Sequence, residues 1–289
     1  MNTNQVFSLK RFSLLVRSDL MINYKKYLLT ITGAFILGFV FLYGSMPRLV
    51  VGSQTLHSWE IFDDQRYMNI FIASIMALGV WVGSSFPGLG SKVKTANYLL
   101  IPSSTFEKFA SQFFIRIVCG TAIFLILFWI DAQLARSVSV MQMVDAKTDL
   151  HYANAEMVIE KFNYGMVFLF RKIHQPEIII YYKAIESWGL SFFAFSIGLY
   201  LFSVKLFFRR NGLVKTIISV VAVLLTILFI MTVFSHAFFP YTKGFSVTLP
   251  QYDTMQGINN MELWICSIGF LSPLFLLPLG YFKLKEKQL

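Results

Sequence analysis

Charge is what this sequence has least of. Asp, Glu, Lys and Arg make up 14% of its 289 residues, against about a quarter in soluble globular chains, which leaves too little polar surface to enclose a water-soluble fold. Acids are scarcest, 15 against 25 bases, so chemistry built on carboxylate clusters has little material. Two cysteines, Cys119 and Cys266, exclude a disulfide scaffold. Four histidines, His57, His151, His174 and His236, stand far apart with no metal-ligand spacing. Nucleotide-binding and nucleophile motifs are lacking too: Gly88-Leu89-Gly90-Ser91-Lys92 has no Gly-Lys pair for a P-loop, and no Gly-x-Ser-x-Gly elbow occurs. The sequence therefore offers no catalytic residue, no metal site and no cofactor site, and any ATP hydrolysis must come from another chain.

Apolar residues are abundant: 56% of the chain is hydrophobic, with 31 Phe, 13 Tyr and 5 Trp, and mean hydropathy is +0.62. Charge-free windows at 27–47, 67–91, 117–130, 187–204, 216–242 and 263–282 approach or exceed the roughly 20 residues that a helix needs to cross a bilayer. The expected fold is an all-α integral membrane protein with six transmembrane helices. The third window is short; it lengthens backward through Phe113 and Phe114 if Arg116 snorkels to the interface.

Lys and Arg collect on the cytoplasmic side of membrane proteins. Placing both termini inside puts sixteen bases and three acids there, and nine bases and twelve acids outside, a split of +13 against −3. Cytoplasmic N- and C-termini follow. The net charge of +10 then reflects topology and anionic lipid, not nucleic acid. Trp129, Trp188 and Trp264 lie within two residues of Asp131, Glu186 and Glu262, forming an outer aromatic belt with the acids marking where each helix reaches water. Cys119 and Cys266 then differ in depth by about 12 Å, too far for a disulfide.

Residues 1–26 form a cytoplasmic amphipathic segment, with Leu9, Phe12, Val16 and Leu20 on one stripe, read as an interfacial elbow helix; residues 27–289 are the membrane domain. Its extracytoplasmic insert, 131–186 between spans three and four, is long enough for a small helical cap. Gly79 and Gly83 form a small-xxx-small pair suited to close helix packing within the chain, or to dimerisation. Pro273 and Pro278 should kink the last span. Between spans two and three, Ser104 is followed three residues later by Glu107, a capping box, and Phe106, Phe109 and Phe113 carry the helix into span three.

The sequence Tyr98-Leu99-Leu100-Ile101-Pro102-Ser103-Ser104-Thr105-Phe106-Glu107-Lys108-Phe109 resembles a pattern of ABC transporter permeases of the type 2 exporter class, in particular their Bacteroidetes members. The motif covers a dozen residues; the plan of six spans, cytoplasmic termini and a leading amphipathic helix covers the chain. The resemblance implies a permease of the bacterial inner membrane, working as a homodimer or heterodimer with a separate ABC ATPase subunit. It implies ATPase contact through Pro102, Ser104, Phe106, Glu107 and Lys108. The insert departs from the class pattern, which places its elaborated outer segment between spans five and six. The alternative function is a polytopic membrane anchor or assembly factor that binds an extracytoplasmic partner.

Overall fold

The computed structural model describes residues 7–46, 64–89, 98, 100–145, 159–168, 177–208, 212–238 and 260–287. Among them are eight α-helices and no strand: α1 Leu9–Ser45, α2 Asp64–Gly83, α3 Thr105–Phe113, α4 Gly120–Asp145, the single turn α5 Gly165–Phe168, α6 Glu177–Val204, α7 Gly212–Phe238 and α8 Asn260–Glu286. A six-residue π-helical segment, Phe114–Cys119, joins α3 to α4 without a break. Among the described residues, five helical stretches are long and apolar enough to cross a membrane: Leu9–Ser45, Arg66–Gly83, Thr105–Gln142, Trp188–Phe207 and Ser267–Glu286. The window 216–242 overlaps α7, a helix of 27 residues, of which the apolar stretch among the described residues, Val214–Val223, is shorter than a membrane span.

The elbow is not a separate helix. No proline interrupts residues 9–45, and scattered charge alone does not end a helix, so α1 runs unbroken for 37 residues, about 55 Å. It stops where Met46, before Pro47, turns extended at φ −75°, ψ 146°. The amphipathic stripe also divides. Leu9 and Leu20 are exposed and Val16 half-buried, while the half-buried Phe12 packs its ring on Phe7 and Phe114.

α1 lies parallel to the α3–α4 helix in a fixed register. Gln112 donates to Asp19 at 3.4 Å and Ser139 to Met46 Sδ at 3.2 Å, each pair 93 residues apart; Gly38 meets Asp131 at the same separation. α6 is the central helix, flanked by α2 and α8. Gly79 and Gly198 bring α2 and α6 together so closely that a Cβ on Gly79 would stand 3.0 Å from the Gly198 Cα, and one on Gly83 would stand 2.8 Å from Leu201 Cβ. The small-xxx-small pair thus packs within the chain, as van der Waals contact between bilayer helices requires.

Side chains fill two cores along the bundle. One holds Leu42, Tyr67, Phe71, Phe128 and Ala135 with Phe162 and Val167; the other holds Val82, Phe86, Phe109, Phe202, Leu206 and Leu284. The 159–168 segment is part of the first core, and its backbone is tied down by side chains. Tyr67 donates to the Glu160 carbonyl at 3.1 Å, Gln133 to Phe162 at 2.9 Å and Arg136 to Ile159 at 3.1 Å. Tyr164 reaches the Leu125 carbonyl; burial pushes its hydroxyl up to about 12, so it remains a donor. α8 runs through both prolines. Ser272 Oγ donates to the Gly269 carbonyl at 3.3 Å, replacing the amide that Pro273 lacks.

Trp129 and Trp188 are both partly exposed; Trp188 also packs against Phe168 and Phe192. The side chains of Trp264 and Cys266 lie outside the described set, and Cys119 is a free thiol.

Candidate functional site

The residues around the capping box lie at the end of the bundle where the start of α1 and the ends of α6 and α8 meet. Ser104 is extended at φ −68°, ψ 156°, and its hydroxyl accepts from the Glu107 amide at 3.1 Å, while the Glu107 carboxylate accepts from the Ser104 amide at 2.9 Å. Both halves of the box are formed. The second carboxylate oxygen accepts from the Ser8 amide at 2.6 Å and from Arg11, whose Nη2 stands at 3.0 Å. Glu107 is fully buried. One carboxylate therefore caps α3 and fastens it to the start of α1.

The residues of the expected ATPase contact divide by exposure. Glu107 and Lys108 are 0% and 1% exposed; Lys108 lies 5.7 Å from the centre of the Tyr98 ring. Burial raises the Tyr98 hydroxyl, which has no hydrogen-bond partner among the described residues. The surface is made instead by Leu100, Ile101, Pro102 and Phe106, all exposed, with Ser104 half-buried between them. Phe106 is anchored at its base, its ring lying 6.0 Å from Phe7 and 6.2 Å from Tyr281. The result is an apolar ridge mounted on a capped, latched helix.

Behind the ridge lies a buried polar cluster. α2 ends at Gly83, short of its proline, and Phe86 sits at φ 52°, a left-handed conformation uncommon outside glycine. Three neighbours hold the end of α2 in place. Gln112 accepts from the Phe86 amide at 3.2 Å, Lys205 donates to the Ser85 carbonyl, and Arg116 donates to Ser84 Oγ at 3.1 Å. Gln112 also donates to Asp19, which accepts from Tyr27.

Arg116 does not snorkel. It is 6% exposed, and its guanidinium lies 4.9 Å from the centres of both the Tyr27 and Trp81 rings, a double cation–π contact. The indole fits because the facing residue is glycine: a Cβ on Gly120 would stand 2.2 Å from Trp81. Arg116 belongs to the π-helical segment, a form that concentrates at functional positions in helices.

With the Arg11–Glu107 latch included, the cluster joins α1, the end of α2, α3, the π segment and the end of α6. It holds no reacting pair, and no group of three or more His, Cys, Asp or Glu gathers among the described residues. Its contacts tie the ridge to several helices at once. Sequence reading found the cap and the ridge residues Pro102 and Phe106. It missed Asp19, Tyr27, Trp81, Gln112 and Lys205, whose contacts lie far apart in the chain; Arg116, a base inside an apolar run, carried the available signal.

Comparison with family models, curated proteins and solved structures finds no match to this chain.

Proposed function

We propose that the chain is the membrane-spanning subunit of an ATP-driven ABC exporter in a bacterial inner membrane, with six crossings and both termini in the cytoplasm. Two permeases, identical or related, work with a separate ATPase chain. The observation that carries the reading is the exposed ridge Leu100, Ile101, Pro102 and Phe106 at the start of a helix latched to α1 by Glu107 and Arg11. A docked ATPase that moves this ridge moves α1 through the latch and α4 through the π segment. Rigid elements sharing one contact surface transmit rocking in this way. The motif resemblance supplies the identity of the driver.

The test is co-purification. Leu100→Asp and Phe106→Ala alter the ridge and leave the latch intact. Both variants should insert and express as the native chain does, lose the ATPase in pull-downs, and lose substrate-stimulated ATP hydrolysis after reconstitution. Glu107→Lys is not a docking test, because it places a cation against Arg11 in a buried pocket and damages the latch itself. Undiminished ATPase capture by both variants, or the absence of any ATPase from the native complex, transfers the reading to a membrane anchor with an extracytoplasmic partner.

A further inference from the structure

The acid expected to mark the end of span three does not reach water. α4 continues to Asp145, and Asp131 is 3% exposed in the seam between α4 and α1. Its Oδ2 lies 2.5 Å from where a Cβ on Gly38 would stand, so the glycine is a notch that admits the carboxyl. Its Oδ1 has no hydrogen-bond partner among the described residues.

Among the described residues, nothing around it compensates a negative charge. α1 has no charged residue between Lys26 and Arg48, and its tyrosines there, Tyr27 and Tyr43, are bonded to Asp19 and Gln142. On the acid's own helix, Gln133 and Arg136 donate to carbonyls of the 159–168 segment. The charged groups of the neighbouring elements, Arg66 on α2 and Glu160 and Lys161 beside α4, form no ion pair with Asp131. An unpaired carboxylate in such surroundings is strongly disfavoured, and the neutral acid far less so. The cation that neutralises it is not a metal, since hard metal ions take about six oxygen ligands and the site offers one carboxyl. A proton needs one oxygen.

We propose that Asp131 is a proton-binding site on the α1–α4 seam, and that the close packing of the two helices at Gly38 requires the bound proton. On closing, a proton from water bonds to a carboxylate oxygen and α1 seats on the neutral acid. On opening, the carboxylate is hydrated and the proton returns to water. The closed seam binds the proton more tightly than the open one, so the seam is firm at low pH and loosens as pH rises, one proton per opening.

Thiol labelling of the full chain in lipid nanodiscs tests this, with Cys119→Ser and Cys266→Ser removing the native thiols. Leu42→Cys places a probe one turn beyond Gly38, at a position 1% exposed in the first core, and Phe41→Cys places a control at a position 56% exposed. The ratio of their rates with a small neutral methanethiosulfonate cancels thiol ionisation. The ratio should be low at acid pH and rise up to tenfold per pH unit. In Asp131→Asn, which keeps the shape of the neutral acid, it should stay low at every pH. A flat ratio with Asp131 in place across about pH 5 to 10 overturns the proposal, as does the same pH dependence in Asp131→Asn. Fast labelling of Asp131→Asn at all pH values also overturns it, because the charge would then be what holds the seam. None of these measurements involves an ATPase, so the exporter reading stands or falls separately.

Discussion

Glu107 shows how a residue chosen for one role can be held by another. Its carboxylate accepts from two backbone amides and from Arg11. Hydrogen bonds to a charged group contribute about 1.5–3 kcal/mol each when a partner is removed, so Glu107→Ala should destabilise the chain by about 3 kcal/mol, well beyond the roughly 1 kcal/mol expected for loss of the Ser104 cap. Denaturation of Glu107→Ala and Ser104→Ala in bicelles measures the contrast; equal losses would mean that the latch contributes nothing beyond the cap. Arg116 gives a second case at this scale. Gly120→Ala places a methyl group into the Trp81 ring, which must swing away and uncover one face of the guanidinium. Overpacking of this kind costs about 1–3 kcal/mol, and a shift in Trp81 emission should accompany it, read in a chain whose other four tryptophans are replaced by phenylalanine. Unchanged emission and stability would show that the indole is not held against Arg116.

Among the helices, what could be read from sequence was whatever lies within one or two turns. The Ser104–Glu107 cap spans four residues, and the Gly79–Gly83 spacing marks one face of one helix; both appear in the structure with the geometry their spacing implies. Partnership across the chain was not legible. Nothing near Arg116 names Tyr27 or Trp81 as its neighbours, so snorkelling was the natural expectation for a base one turn inside a span. Asp131 misled for a similar reason: an acid beside a tryptophan marks a helix end by local rules, but α4 continues to Asp145 and the side chain lies against Gly38 on α1. The α2–α6 crossing is the element on which packing should depend most sharply. Gly79→Leu has no room against the Gly198 backbone and should force the helices apart, with loss of the folded monomer on size exclusion. Gly33→Leu, where nothing lies within 4 Å, should leave that profile unchanged.

For the whole molecule, the distribution of charge organises the expectation of orientation. The ends of α6 and α8 meet the start of α1 and the ridge through Phe106, Leu206, Tyr281 and Leu284, which are neighbours of the lysine- and arginine-rich segments. The topology proposal predicts that a cysteine at position 92 or 211, like tags at both termini, stays hidden from impermeant reagents in intact cells, and that one near position 150 is labelled. Labelling of the termini from outside would reverse the orientation.

The 93-residue register between α1 and the α3–α4 helix also sets a schedule for biosynthesis. At about 5–20 residues per second, a ribosome needs some 5–20 s after making Gly38 to make Asp131. During that interval α1 waits in the bilayer without the partner that will cover its seam. Its lipid-facing side chains suit the wait: Leu28, Leu29, Ile36, Leu37, Val40 and Phe41 are all exposed, and the position that later meets the acid is a glycine with nothing polar to shield. The acid is carried by the helix that arrives second, when the notch is already there to receive it. Exchanging the two, Gly38→Asp with Asp131→Gly, would preserve the final pairing but strand the carboxyl in lipid from the outset, and the first casualty should be insertion of α1 rather than stability of the finished bundle.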